Sequence, residues 1–119
     1  MNEEELANKS AKEQYQVAEK YWEETSNSKN QTFALKWFVK SAERGYAPAE
    51  SKVGQIYENG IGISKNQLLA AKWFQAAAEH GHAEAQYRLA LCYEYGRGVK
   101  RNASAANYWR SVAAENGFE

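Results

Sequence analysis

Apolar residues recur every three or four positions along most of the chain, which predicts amphipathic helices. Four such series stand after residue 46, two ending on a tyrosine and two built around a tryptophan. They are Ala49-Val53-Ile56-Tyr57, Ala85-Leu89-Cys92-Tyr93, Ala70-Trp73-Phe74-Ala77 and Ala106-Trp109-Val112-Ala113. Most of the intervening positions are polar, so each series predicts a helix with one buried face.

Glycine and asparagine residues mark the predicted ends of these helices. Gly60 and Gly96 each follow a tyrosine series and open a Gly-x-Gly turn, where a positive φ is needed. Asn66 and Asn102 precede the tryptophan series and can cap free backbone N–H groups. Gly81 then follows the first tryptophan series, at the position of a helix end.

The whole pattern repeats with a period of 36 residues. Trp37, Trp73 and Trp109 coincide when the chain is shifted by that distance. Between 46–81 and 82–117, thirteen of 36 positions are identical without a gap. Each unit reads as two helices joined by a turn, and because one hairpin cannot bury both of its faces, neighbouring units must stack.

We therefore predict an all-α fold: one domain over 1–119, formed by a right-handed α/α superhelix of about three 36-residue helix-turn-helix repeats with six helices. The repeats run approximately over 10–45, 46–81 and 82–117. The first is degenerate, because it has Glu24-Thr25-Ser26 in place of the glycine pair. Apolar residues near the N-terminus predict a capping helix there: Leu6, Tyr15, Val17 and Tyr21.

This pattern resembles the Sel-1-like repeat family, a branch of the tetratricopeptide-like α/α solenoids. The resemblance is carried by the glycine turns and by the alanine-rich ends Ala77-Ala78-Glu79-His80-Gly81 and Ala113-Ala114-Glu115-Asn116-Gly117. It implies binding of a partner protein or peptide without catalysis. Some secreted members carry a cysteine pair in each repeat, and the single Cys92 argues against the branch for which penicillin binding and β-lactamase activity have been proposed.

Charge and composition exclude several classes of function. The chain has 15 basic and 15 acidic residues, so no net positive field favours a nucleic acid or an anionic membrane as partner. All acidic residues are glutamate, which excludes triads and calcium loops that need aspartate. The acidic start, without an apolar run behind it, predicts a cytoplasmic protein, with the periplasm as the alternative if a leader has been removed.

No group of residues predicts a catalytic, metal or cofactor site. His80 and His82 form an isolated His-x-His at a predicted turn and are interpreted as solvated. Cys92 falls in an apolar series and is expected to pack as a small apolar residue. The glycine turns follow helices and lack the Lys-Ser/Thr ending of a phosphate-binding loop.

The concave face of the predicted solenoid is the candidate binding surface. The first helices of successive repeats line this face in such folds, and their outward positions form rows 36 residues apart. The expected contact residues are Gln16, Glu19, Glu23, Lys52, Gln55, Asn59, Tyr87, Arg88, Leu91 and Tyr95, with Tyr15 flanking them. Exposed tyrosine and arginine are the types that contribute most to interface energies.

A second contact surface is expected on the last predicted helix. Tyr108, Trp109 and Val112 would present apolar area if no further helix covers them. This surface predicts self-association or partner binding at that end, whereas cover by Phe118 would remove it.

The sequence thus predicts a non-catalytic adaptor or regulator that binds a protein or peptide in its concave groove. The alternative is an immunity protein that neutralises a cognate bacterial toxin, since small stand-alone proteins of the family can act in this way. A β-lactamase-like hydrolase is the third hypothesis, and the missing cysteine pairs and catalytic residues argue against it.

Overall fold

The computed structural model describes residues 1–24 and 28–118, which form seven helices and no strand. The helices are α1 (Glu3–Ala7), α2 (Ala11–Glu23), α3 (Ser28–Glu43), α4 (Ala47–Asn59), α5 (Gln67–Glu79), α6 (Ala83–Tyr95) and α7 (Ala103–Glu115). From α2 onward, each helix packs mainly against its neighbours in the chain, and the molecule measures 46 × 27 × 21 Å. The prediction of a helical solenoid is confirmed.

The predicted helix ends are present in the second and third repeats. Gly60 and Gly96 end α4 and α6 in the left-handed conformation, with φ of 67° and 68°. The side-chain oxygens of Asn66 and Asn102 accept the N–H groups of residues 69 and 105, each at 3.0 Å, at the start of α5 and α7. Asparagine and glycine therefore define the hairpins as the sequence predicts.

The N-terminal end contains two helices, α1 and α2, so the prediction of six helices is one too few. Ser10 separates them, because its Oγ accepts the N–H of Glu13 at 3.1 Å in a capping box that starts a new helix. The short α1 ends at Ala7, which is 36 residues before the end of α3 at Glu43. By the period of the repeat, α1 therefore corresponds to the last turn of a second helix. Its Leu6 is fully buried and covers the end of the core.

The first repeat departs from the other two where its sequence does. Because α3 begins at Ser28, Asn30 lies inside its first turn and not at the cap position of Asn66. Part of the segment Glu24-Thr25-Ser26, which replaces the glycine pair, lies outside the described residues. The degenerate character of this repeat thus extends to its second helix, which is 16 residues long where α5 and α7 have 13.

The core forms two adjoining clusters of alanine, aliphatic and aromatic side chains. One centres on Trp37 and Phe38 and the other on Phe74, and the ring of Tyr57 packs against both. Close helix approach depends on small residues: a Cβ on Gly54 would lie 2.7 Å from the Phe74 ring. The recurring small residues of the repeat therefore let the aromatic rings fill the space between helices.

A buried polar side chain recurs at the start of the first helices. In the third repeat, Gln86 donates from Nε2 to the carbonyl of Ala78 at 3.0 Å and accepts from Asn116 at 2.9 Å. In the second repeat, Glu50 takes this place and its Oε1 lies 2.6 Å from His80 Nδ1. Both links join residues 30 positions apart, so they tie the start of one helix to the end of the next.

The first repeat makes only half of this link. Gln14 donates to the carbonyl of Leu6 at 3.1 Å, as Gln86 does to the equivalent carbonyl, but its Oε1 has no hydrogen-bond partner among the described residues. Arg44, at the position of Asn116, donates to the carbonyl of Lys9 at 2.7 Å instead. A buried acceptor without a partner is costly, so the first repeat has the weakest polar link of the three.

Candidate functional site

The first helices share one face of the solenoid, and a hollow lies on it. Its volume is about 440 Å³, within the range of 300–1,000 Å³ typical of ligand pockets. All three first helices contribute to its walls. The lining residues are Tyr15 of α2, Pro48, Ser51, Lys52 and Gln55 of α4, Ala83 and Glu84 of α6, and His82 and Phe118, which adjoin helix ends.

Lys52 is the cation of this hollow that has no carboxylate partner. Its Nζ lies 5.8 Å from the ring centroids of both Trp22 and Phe38, a cation–π arrangement. Within the part of the chain that the structure describes, no carboxylate approaches this ammonium within ion-pair distance. Its positive charge is therefore available to a ligand.

Glu84 is held between two helices and is already paired. Its Oε2 accepts from Gln55 Nε2 at 2.6 Å and from Arg88 Nε at 3.3 Å. Arg88 also lies 3.5 Å from a carboxylate oxygen of Glu58. The predicted contact residue Arg88 is therefore paired with two carboxylates of the repeat stack.

His82 is the residue that caps the start of α6. Its Nδ1 accepts the N–H of Ala85 at 3.2 Å, so it serves as the helix cap. Burial lowers the pKa of its ring, and nearby Glu84 and Glu50 oppose this only in part. The interpretation of His80 as solvated agrees with its exposed side chain, which is also hydrogen-bonded to Glu50, whereas His82 is half-buried.

Tyr15 of α2 forms part of the wall of the hollow. Its ring packs 5.5 Å from Phe38 and 5.4 Å from Tyr46, measured between centroids. Burial and then the hydrogen-bonded carboxylate of Glu19 raise the pKa of its phenol well above the ordinary value. The phenol therefore stays protonated, and the predicted contact residue Glu19 acts as its partner.

The structure brings together only some of the predicted contact residues. Lys52 and Gln55 line the hollow, and Tyr87 stands behind Phe118 with 5.2 Å between ring centroids. Leu91, one helical turn after Tyr87 on α6, is half-buried. The others, Gln16, Glu23, Asn59 and Tyr95, are exposed and lie outside the lining of the hollow.

The predicted surface on the last helix is only partly apolar. Tyr108 is 61% exposed and packs edge-on against the half-buried Trp109, and Val112 is half-buried too. Phe118 packs on Tyr87 rather than over this surface. Self-association through it remains a prediction.

On its stacking face, α7 carries polar residues. Ala71 and Phe74 of α5 are buried, and the positions 36 residues later hold the exposed Asn107 and the half-buried Arg110. Arg110 forms an ion pair with Glu94. This face of α7 therefore needs no apolar partner.

Sequence reasoning did not identify Ser51, Glu84 and Phe118 as residues of the site. An alignment of the repeats could have identified Ser51 and Phe118. At the position of Ser51, the repeats before and after it have Tyr15 and Tyr87. Glu84 could not be identified in this way, because its bond to Gln55 depends on how two repeats pack.

Three properties of residues 1–24 and 28–118 bear on metal binding, thiol reactivity and membrane crossing. They contain no cluster of three or more His, Cys, Asp or Glu side chains able to hold a metal ion. Burial, with help from Glu58, raises the pKa of the Cys92 thiol to about 11, so it is not a nucleophile near neutral pH. None of the helices described has the length and apolar character needed to cross a membrane.

Comparison with known proteins gives a consistent result for family and fold. The Sel1 repeat model matches residues 14–46, 47–82 and 83–118. A Sel1 repeat protein from Oxalobacter formigenes is 28% identical, with a TM-score of 0.84 over 96% of this chain and 87% of that one. No match was found among curated proteins.

Two further solved structures resemble the chain. The protective antigen c5321 of uropathogenic Escherichia coli, which displays an SLR fold, is 36% identical with a TM-score of 0.85, over 98% of this chain and 26% of its own. Cysteine-rich protein B of Helicobacter pylori is 18% identical with a TM-score of 0.74, over 94% of each chain, which shows a shared fold alone.

Proposed function

Because the chain belongs to the Sel1 repeat family, whose members are generally protein-interaction modules and typically non-catalytic, we propose that it is an adaptor or regulator. It binds a partner protein or peptide on the face of its first helices. The partner contacts the hollow between α2, α4 and α6 and extends along the exposed rows beside it.

One observation carries this proposal: the hollow combines an available cation with polar and aromatic walls. Lys52 offers an unpaired ammonium, and Tyr15 and Phe118 offer ring surface on two sides. Tyrosine is among the residue types that contribute most to protein interfaces, and an unpaired cation beside it favours a partner of opposite charge. A catalytic reading would need an activated nucleophile or base in the hollow, and its His82 is occupied as a helix cap.

Affinity capture from host lysate, quantified by mass spectrometry, tests the assignment of the face. The variant Lys52→Glu with Gln55→Ala changes the hollow. The control Lys72→Glu with Gln75→Ala makes the same two changes, three residues apart, on α5, a second helix. We expect a specific partner to be held by the wild type and the control and to be lost with the variant in the hollow.

Retention of the partner by the variant in the hollow would contradict the assignment, as would its loss with the control. Capture of one toxin, in a one-to-one complex that the hollow variant abolishes, would give the binding face an immunity role. Absence of any captured protein from all baits would count against an adaptor role.

A further inference from the structure

An aromatic pair recurs in the repeats and is missing from the middle one. In the first repeat, Tyr15 packs on Tyr46 with 5.4 Å between centroids. In the third, Tyr87 packs on Phe118 with 5.2 Å, and both residues stand two periods of 36 after the first pair. The equivalent residues of the second repeat are Ser51 and His82, which form no ring pair.

The hollow lies at the place of this missing pair. Ser51 and His82 both line it, and a wall comes from each flanking pair: Tyr15 from the first repeat and Phe118 from the third. Replacing two rings by a serine and a single imidazole removes side-chain volume at this position. The space of about 440 Å³ is therefore bounded by aromatic rings on two sides.

Charge adds a second requirement for the occupant. Lys52 lies beside Ser51 in the hollow and has no carboxylate partner within the described chain. The one carboxylate of the hollow, Glu84, is paired with Gln55 and Arg88. The unbalanced charge is thus positive, and a carboxylate complements it.

We propose that the hollow receives an aromatic side chain of a partner segment, and that a carboxylate next to it in the partner's sequence pairs with Lys52. The inserted ring takes the place of the missing pair, between Tyr15 and Phe118, where tilted ring contacts like those of the flanking repeats are available. This inference rests on the proposed function and specifies the chemistry of the partner.

Short blocked peptides provide a defined probe. The test compares Ac-Gly-Phe-Glu-Gly-NH2 and the reversed order Glu-Phe with peptides in which Leu replaces Phe or Gln replaces Glu. Binding is measured by NMR titration of the full chain, followed at the amides of Ser51, Gln55 and Glu84. We expect the better Phe-and-Glu peptide to bind roughly 2- to 10-fold more tightly than either matched peptide.

A transplant of the third repeat's own pair closes the hollow. Ser51→Tyr with His82→Phe places the equivalents of Tyr87 and Phe118 in the middle repeat. An aromatic residue is tolerated at this helix start, because Tyr46 starts α4 without a side-chain cap. The control, Lys72→Tyr with Gln75→Phe, adds the same two kinds of aromatic side chain on α5, outside the lining of the hollow.

The filled variant should lose peptide binding by about tenfold or more, and the control should bind within about twofold of the wild type. Circular dichroism and urea unfolding check that both variants fold. Undiminished binding by the filled variant, or equal binding of the Phe and Leu peptides by the wild type, would overturn the aromatic assignment. If the filled variant does not fold, the peptide comparison on the wild type still decides the question.

Lys52→Gln tests the charged part separately. We expect it to remove the preference for Glu over Gln peptides while leaving the preference for Phe over Leu, and an unchanged preference for Glu would overturn the role of Lys52. The proposed function can fail independently: a captured partner that is lost with Lys52→Glu and Gln55→Ala but retained by the filled variant leaves the face correct and the aromatic insertion wrong.

Discussion

His82 links helix capping to protonation at the scale of a single residue. Its Nδ1 can accept the N–H of Ala85 only while that nitrogen carries no proton. Since burial lowers the pKa of the ring below its ordinary 6.5, the folded chain resists a proton that the unfolded chain accepts. The contribution of His82 to the free energy of unfolding is therefore complete above about pH 6.5 and decreases as the pH falls below that value.

We therefore expect the free energy of unfolding to be lower at about pH 5.5 than at about pH 7.5, in part through His82. The variant His82→Asn keeps a capping oxygen, as Asn66 and Asn102 do in their helices, and removes the titration. Urea unfolding at both pH values should show a smaller loss of stability for the variant than for the wild type. An equal loss would exclude His82 as a source of the pH dependence.

The pairing of Glu50 with His80 was not visible in the sequence, although the equivalent residues are. The sequence contains Gln14, Glu50 and Gln86 at intervals of 36 residues, so these three residues can be aligned. What it does not show is that the partner lies 30 positions later, because that depends on how a helix start packs beside the end of the next helix. The burial of Glu50 could not be predicted for this reason.

The third repeat suggests an exchange for this pair. Glu50→Gln with His80→Asn copies the neutral link between Gln86 and Asn116, and we expect it to leave the free energy of unfolding within about 1 kcal/mol of the wild type. Glu50→Ala leaves no partner for His80 and should cost about 1–3 kcal/mol. Urea unfolding measures both, and an equal cost for the two variants would show that the link itself contributes nothing.

At the scale of the helices and turns, the sequence predicted most of what is observed. Glycine turns, asparagine caps and the two helices of each repeat were predicted from local pattern, because each rests on one or two residues and their neighbours. The start of α3 was not, since the first repeat lacks the glycine pair that would mark it. The separate α1 was missed too, because Leu6 and Tyr15 fit one apolar series across Ser10.

The turn glycines Gly98 and Gly81 differ in how much space a side chain would have there. Gly98 has a φ of 72°, and a Cβ there would lie 2.0 Å from the carbonyl oxygen of Gln67 at the start of α5. Gly81 has a φ of 87° and nothing within 4 Å of its Cβ position. Conformation alone therefore constrains Gly81, whereas packing between repeats also constrains Gly98.

Gly81→Ala should cost about 1–2 kcal/mol, the usual penalty for a left-handed alanine. Gly98→Ala should cost clearly more, because a backbone carbonyl cannot move aside without shifting the helix that carries it. Thermal unfolding of the two variants makes the comparison. Similar melting temperatures would mean that the glycine turn does not fix the distance between the second and third repeats.

On the scale of the whole molecule, the sequence predicted which residues share a face but not the hollow on that face. Lys52 and Gln55, which belong to the rows 36 residues apart, line the hollow, because the repeat fixes which positions share a face. The sequence could not show that Arg88 is paired with Glu58, or that Phe118 lies against Tyr87. These contacts join different repeats or a helix to a chain end, so no local pattern announces them.

Stacked repeats also predict how stability is distributed. Because each repeat contacts only its neighbours, loss of the end cover should loosen the first repeat before the others. We expect Leu6→Asp, at a fully buried position, to reduce hydrogen-exchange protection in α2 and α3 while α6 and α7 keep theirs. Uniform loss of protection in all helices would show that the molecule unfolds as one unit.

The polar side chains on the stacking face of α7 have a consequence for the design of longer repeat arrays. Asn107 and Arg110 stand where the preceding repeat has the buried Ala71 and Phe74, so the second and third repeats differ in polarity at these two positions. We expect Asn107→Ala with Arg110→Phe to make this face of the third repeat as apolar as that of the second. A longer scaffold with several hollows in series then becomes a question of tandem gene assembly.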